Sequence, residues 1–371
     1  MSAKTILSVF GTRPEAIRMC PLIKTLQTQA GLRSLVCLVT QGKPEARQVL
    51  EHFDIMADHT LDVTEKGVTP ADALARILMR MEGLLAQVRP DIVLVQGGTV
   101  VAFAAALAAF YARIPVGHVG AGVRFTSPDA RYPEEVNRRL IARCANLHFV
   151  PTQHAADNLE REGIASNVHL TGSTAVDALR YTVQGNYIFD NSMLWQLDLA
   201  NRIVLVTCHR RENWVRPLAN ICDAVLVLSK RHTDVQFVFP MSDNAIVNDM
   251  ARAKLENQPR IVITDALGVK DMHNLIARSC LIMTDSRGVV EEAPALNVPV
   301  VILRKETECP EALQTGAAMM AGLRAEDIQH IASMLLDDSA AHGIMQKASC
   351  PYGDGHASER IAAQLASFLT T

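Results

Sequence analysis

Thr5-Ile6-Leu7-Ser8-Val9-Phe10-Gly11-Thr12-Arg13-Pro14-Glu15 reads as a buried strand that passes through a glycine turn into a helix. A near-continuous apolar run without charge suits a strand covered on both faces. Gly11 permits the tight turn, Pro14 suits a helix start, and the helix then runs over Glu15–Gln27. The same grammar repeats outward from this stretch. Leu35–Val39, Asp91–Val95 and Pro115–Val119 read as strands, and Glu45–His52, Ala71–Gln87 and Thr99–Ala112 as helices. Apolar strands alternating with helices predict a parallel sheet with both faces covered.

The alternation pauses near Gly172–Asp198 and restarts with Ile203–Thr207. Strands follow at Val235–Pro240, Ile261–Thr264, Leu281–Thr284 and Val298–Leu303, with helices at Leu218–Lys230, Ile246–Leu255, Met272–Ser279 and Glu291–Leu296. The expected fold class is α/β: two doubly wound Rossmann-like domains facing a central cleft. The expected boundaries are 1–174 for the first domain, 175–199 for a connector and 200–355 for the second domain. The final helix, 356–371, carries an apolar stripe over Ser358–Leu369 and is expected to pack back on the first domain. Ligands of such sheets bind beyond the carboxyl ends of the strands, so the residues just after each strand matter most.

Composition narrows the function. Of the 371 residues, 49% are apolar and 20% charged, an ordinary globular mix. A formal net charge of −3 offers no basic footprint, so no nucleic-acid partner is expected. The longest apolar run, Val100 to Ala112, falls short of the roughly 18–20 residues that span a bilayer, so no membrane segment is expected. The start, Met1-Ser2-Ala3-Lys4, lacks the apolar stretch of a signal peptide. Eight scattered cysteines form neither a CxxC pair nor a zinc-ligand spacing, which suits reduced thiols in a cytoplasmic protein and predicts no metal.

Four segments after strands could carry chemistry. Gly11-Thr12-Arg13 opens a helix, where anions bind, and Arg13 adds a fork of donors; an ordinary turn would look the same. His209-Arg210-Arg211-Glu212 follows a buried strand, and a His with two Arg suits a diphosphate. Thr284-Asp285-Ser286-Arg287-Gly288 offers a Ser/Gly turn for phosphate, with Glu291-Glu292 placed for ribose hydroxyls; a capped helix with Glu in its first turn reads the same way. Glu134-Glu135 begin another helix and could supply a general base, with Arg138 holding substrate. His118, at a strand end, could ligate or shuttle protons, although a lone His is more often structural.

These segments, in this order, resemble the non-hydrolysing UDP-N-acetylglucosamine 2-epimerases. The resemblance rests on Val9-Phe10-Gly11-Thr12-Arg13-Pro14-Glu15, Ala108–His118, Pro133-Glu134-Glu135, His209-Arg210-Arg211-Glu212, Thr284-Asp285-Ser286, Glu291-Glu292-Ala293-Pro294 and Pro351-Tyr352-Gly353-Asp354-Gly355. It implies the two-domain GT-B architecture, a homodimer, a UDP-sugar partner and no cofactor. The implied reaction interconverts UDP-N-acetylglucosamine and UDP-N-acetylmannosamine, by elimination of UDP across C1–C2 and its re-addition, feeding cell-surface polysaccharide synthesis. It further implies that Arg13, His209 and Ser286 hold the diphosphate, Glu292 the ribose and Arg138 the sugar or phosphate. Glu134 matches one catalytic carboxylate, His209 belongs with it at the reacting end, and Arg18 stands where the family usually has Lys.

Departures gather at the same segments. The family's His-Gly-Asp-Thr reads Gln96-Gly97-Gly98-Thr99, and its His-Val-Glu-Ala-Gly reads His118-Val119-Gly120-Ala121-Gly122. Gly98 and Gly120 thus replace two catalytic carboxylates, each of a type that contributes roughly 10²–10⁴-fold. A water or Asp129 could stand in, but neither has a strand end to fix it near C2. Ser242 replaces a His, Met272 falls where an aromatic commonly packs on uracil, Arg287 replaces a Gly and Cys309 an Arg. The loop linked in the family to regulation by a second UDP-sugar reads Gln41-Gly42-Lys43-Pro44-Glu45. The sequence therefore predicts an epimerase-like protein of reduced activity. The alternatives are a catalytically degenerate UDP-sugar-binding paralogue with a regulatory or partner-binding role, or GT-B glycosyl transfer.

Overall fold

The computed structural model describes residues 3–40, 42, 44–64, 69–125, 132–210, 213–241 and 244–370. Gln41, Lys43, Asp129, Arg211, Glu212 and Ser242 lie outside the described residues. The chain divides into two units, 1–181 with 352–371, and 182–351.

The first unit alternates β1 (Lys4–Phe10), α1 (Arg13–Gln27), β2 (Leu32–Thr40), α2 (Glu45–His52), β3 (His59–Asp62), α3 (Pro70–Val88), β4 (Ile92–Gln96), α4 (Val100–Tyr111), β5 (Val116–Val119), α5 (Glu134–Cys144), β6 (Leu147–Val150), α6 (Gln153–Arg161), β7 (Val168–Leu170) and α7 (Thr174–Thr182). Its strands are all parallel, in the order β3-β2-β1-β4-β5-β6-β7. Strand order reverses between β1 and β4, where a doubly wound sheet opens its ligand crevice. The pleat of β1 sorts its side chains. Ile6 and Phe10 face a core with α1 and α2, and Leu7 and Val9 face a second core with α3 and α4.

The second unit runs β8 (Arg202–Thr207), α8 (Arg216–Arg231), β9 (Val235–Pro240), α9 (Ala245–Leu255), β10 (Ile261–Thr264), α10 (Val269–Arg278), β11 (Leu281–Thr284), α11 (Arg287–Glu292), β12 (Val300–Ile302), α12 (Pro310–Gln314), β13 (Ala318–Met320), α13 (Ala325–Asp337) and α14 (Ser339–Gln346). Its parallel order is β10-β9-β8-β11-β12-β13, so the reversal falls between β8 and β11. Both units are thus doubly wound Rossmann-like domains. The last helix, α15 (Ala357–Thr370), buries Ile361, Ala362 and Leu365 in the core with α1.

The stretch expected as a connector, 175–199, has no single character. Residues up to 181 lie in α7 and belong to the first unit. From Thr182 the chain belongs to the second, where Asp271 of α10 accepts hydrogen bonds from Tyr187 Oη (3.0 Å), Asp190 N (2.9 Å) and Asn191 N (2.9 Å). Asp177 also caps α15, accepting from Ala357 N at 3.1 Å and Ser358 N at 2.6 Å. The helix expected from Glu15 starts instead at Arg13, because Thr12 and Glu15 form a reciprocal capping box.

Candidate active site

In the first unit, the loops after β1 and β4 meet on one buried carboxylate. Glu15 Oε2 accepts from Gly11 N (3.0 Å), Thr12 N (2.8 Å) and Thr12 Oγ1 (2.9 Å), and Oε1 accepts from Thr99 Oγ1 (2.5 Å). Burial raises its pKa, and the hydrogen bonds from Thr99, Gly11 and Thr12 partly offset the shift. Glu15 therefore fixes the turn that presents Arg13 against the turn that contains Gly98. Arg13 is half-buried there, and Arg18 folds back so that Nη1 donates to Pro14 O at 3.2 Å.

Gly98 is held on every side. Its carbonyl accepts from Asn137 Nδ2 at 3.1 Å. A β-carbon built on it would meet Glu134 O at 2.5 Å and the Arg138 side chain closer still. The first turn of α5 thus occupies the space a side chain at 98 would need. Gly120 differs: its φ is +70°, and an added β-carbon meets only Gln96 Nε2 at 3.2 Å.

The structure brings Gly98, Glu134 and Arg138 together, with Arg138 Nη2 3.7 Å from Glu134 Oε2. It separates the two adjacent carboxylates read as a pair. Glu134 keeps 34% of its side chain exposed, whereas Glu135 is fully buried and accepts from Phe125 N (3.2 Å) and Arg139 Nε (3.0 Å). Glu135 is a structural clamp. Arg138 lies over the Phe125 ring at 5.0 Å.

His118 is structural as well. It is fully buried, and Nε2 lies 2.8 Å from Gly97 O, which accepts only, so the ring carries its proton there. Desolvation pushes its pKa down to about 3, with smaller contributions in the same direction from His148, Arg124 and Arg138. A ring that stays neutral at every physiological pH does not shuttle protons.

In the second unit, the loops after β8 and β11 converge on Asp285. Its carboxylate accepts from His209 N (3.0 Å), Arg210 N (2.9 Å) and Asn213 Nδ2 (2.8 Å). This turns the His209 side chain outward, where it is exposed. Ser286 caps α11 by position but not by its hydroxyl, and its N–H donates to Thr284 Oγ1 at 2.9 Å. His209 and Ser286 thus stand at the strand reversal of this sheet.

The structure corrects the expectation that Arg210 faces a diphosphate. Arg210 is buried; Nε donates to Asp285 O at 2.8 Å and Nη2 pairs with Glu308, which also pairs with Arg304. Arg287 is likewise committed, with Nε 2.6 Å from the buried Glu291 Oε1. Glu292 is buried beside His273, whose Nε2 lies 3.5 Å from Glu292 Oε2. Met272 is half-buried on α10, and Cys309 is buried with its N–H donating to Thr307 Oγ1 at 3.1 Å.

Sequence reasoning gave no positioning role to Glu15, Asp285, Glu308 or His273. A carboxylate next to a strand-end turn rich in N–H groups was the available signal for the first two.

A family model described as UDP-N-acetylglucosamine 2-epimerase matches residues 24–366. The UDP-N-acetylglucosamine 2-epimerase of Bacillus subtilis is 40% identical, covering 98% of this chain and 96% of its own. That of Escherichia coli is 37% identical, covering 96% of both. The solved structure of UDP-GlcNAc 2-epimerase from Neisseria meningitidis bound to UDP-GlcNAc superposes with a TM-score of 0.92 at 34% identity, covering 98% of this chain and 100% of that one. Likeness of this extent, over both units and not one motif, places the chain in the non-hydrolysing UDP-N-acetylglucosamine 2-epimerase family.

Proposed function

We propose that the protein binds UDP-N-acetylglucosamine and epimerises it at C2 slowly. In the reaction a base removes the C2 proton and the C–H electron pair forms the C1=C2 double bond. The C1–O bond breaks with its pair leaving on UDP, which gives 2-acetamidoglucal. UDP then re-adds at C1 while a proton reaches the other face of C2. The cycle is redox-neutral and needs no cofactor. Glu134, partly exposed beside Arg138, is the base. Arg13, Arg18, His209 and Ser286 serve the departing diphosphate, Arg138 the sugar and Glu292 the ribose.

The observation that carries the reduced rate is Gly98. Its side-chain space is filled by α5, so no side chain at 98 can act there. One carboxylate then serves a carbon that needs proton handling on both faces, and placement is much of a catalytic group's value. Proton NMR of UDP-N-acetylglucosamine with the protein in D₂O tests this through loss of the C2 proton signal. Slow exchange is expected. Turnover at about several per second, an ordinary enzyme rate, would sink the slowed-enzyme reading. Binding without exchange would favour the second reading that Gly98 supports, a silent UDP-sugar binder.

A homodimer completes this reading, supported by exposed Met79 on α3 and Phe110 and Tyr111 on α4. A cytoplasmic site of action is supported by eight free thiols, which suit a reducing compartment. Among the described residues, no helix is long and apolar enough to cross a membrane.

A further inference from the structure

We infer that His273 is a positioning residue that fixes the Glu292 carboxylate for the two ribose hydroxyls of a uridine nucleotide, with Thr182 setting its tautomer. The inference rests on the proposed UDP reading and names a residue pair outside it.

His273 and Thr182 are both buried. His273 Nδ1 lies 2.7 Å from Thr182 Oγ1, and Nε2 faces Glu292 Oε2 at 3.5 Å. Thr182 is held from a second side, because its carbonyl accepts from Asn274 Nδ2 at 2.7 Å. Asn274 Oδ1 in turn accepts from Gln184 N at 2.9 Å. Thr182, His273 of α10 and Glu292 of α11 are therefore linked in one chain of side chains within the second unit.

The chemistry fixes the direction of the protons. An ionised carboxylate only accepts, so Nε2 must carry a proton to face Glu292 favourably. In the neutral ring Nδ1 is then an acceptor, and the Thr182 hydroxyl donates to it. With Oε2 turned toward His273, Oε1 remains for the vicinal hydroxyls. Without the imidazole, the buried carboxylate loses its facing donor and is free to rotate, which takes its acceptor oxygens off the ribose.

The test is calorimetric titration with UDP and with 2′,3′-dideoxy-UDP, which lacks both hydroxyls. The wild type should prefer UDP by about tenfold or more. His273→Leu should weaken UDP by about tenfold while leaving the dideoxy nucleotide within about twofold. His273→Gln, which places an amide donor near Nε2, should recover most of the preference. Adding His273→Leu to Glu292→Gln should cost nothing further. Thr182→Val removes one hydroxyl at constant shape and should weaken UDP alone, by about threefold; it carries the comparison if His273→Leu fails to fold. Equal weakening of both nucleotides would mark His273 as merely structural and overturn the inference. A wild type that binds both equally would overturn it and leave UDP binding standing. A wild type that binds neither would remove the UDP reading itself, and this inference with it.

Discussion

The backbone carbonyl oxygen of Glu134 lies 2.5 Å from the point that a β-carbon on Gly98 would occupy. Backbone cannot swing aside as a side-chain tip can, so a carboxylate returned to 98 must displace the start of α5. Gly98→Asp should therefore lower stability by about 1–3 kcal/mol, the usual cost of overpacking. Gly120→Glu asks only the tip of the Gln96 side chain to give by a few tenths of an ångström and adds the left-handed backbone, about 1–2 kcal/mol. Chemical denaturation of the two variants decides the order. Gly98→Asp as stable as the wild type would mean that α5 yields easily. Restored C2 exchange is expected from the double variant only where the fold survives.

Acid should destabilise the protein through its buried histidines. His118 and His148 are held neutral by desolvation, to about 3 and about 4 against an ordinary 6.5. His169 and His232 are shifted in the same direction. Between those values and 6.5 the unfolded chain binds protons that the folded one refuses. For His118 and His148 stability is therefore complete above 6.5 and falls as pH drops toward 4, by up to about 1.4 kcal/mol per unit for each, while His169 and His232 add only in direction. Glu15 has the opposite sign: its pKa is raised, so its contribution is present below 4.5 and lost as pH rises through its folded value. Urea titrations at pH 7, 6 and 5 should show the slope, and His118→Gln should flatten it. An unchanged slope in that variant would show that the protons are taken up elsewhere.

Arg210 and His209 are adjacent but should fail differently. Arg210→Ala removes one of the two arginine partners of the buried Glu308 and leaves Arg304 as the other, so it should cost about 1–3 kcal/mol. His209→Ala removes an exposed side chain and should change stability by no more than about 0.5 kcal/mol, while weakening UDP binding. Melting temperature and nucleotide titration together separate the two. A nucleotide-binding defect in Arg210→Ala without loss of stability would restore it as a ligand.

Saturation with UDP-sugar should be hyperbolic. Gly42 and Pro44 bring no side-chain donors to the loop that serves a second UDP-sugar in the family. Sigmoidal kinetics, or two nucleotides bound per subunit, would count against this.

Most strands were legible because buried parallel strands are written as apolar runs; Val235–Pro240, Ile261–Thr264 and Leu281–Thr284 fall where the sequence places them. The edge strands β3 and β7 were not, since His59–Asp62 and Val168–Leu170 are partly exposed and carry polar residues. α7 was hidden in the apparent pause, and α13 and α14 had no strand beyond them to mark their rhythm. Strand ends pointed to the loops on which Glu15 and Asp285 gather backbone N–H groups. They did not reveal which polar groups face a ligand and which hold the loop. Glu134 and Glu135 are chemically identical neighbours, and only burial separates the partly exposed carboxylate, proposed as the base, from the clamp. Arg210 and Asp285 look like ligands until their partners are known.

The chain leaves the first unit at the carboxyl end of α7, and on its return Tyr352 O accepts from Ser173 N at 2.8 Å, at the other end of that helix. The two crossings stand about 13 Å apart along nine helical residues. The second unit is therefore an insertion within the first, and a linker of about four extended residues would span the gap left by its removal. The first unit, by contrast, is discontinuous and lacks α15 until the last of these residues has been added. On the ribosome the order of completion is inverted: residues 182–351 have all emerged, and can fold as a unit, before the domain that begins the chain has its final helix.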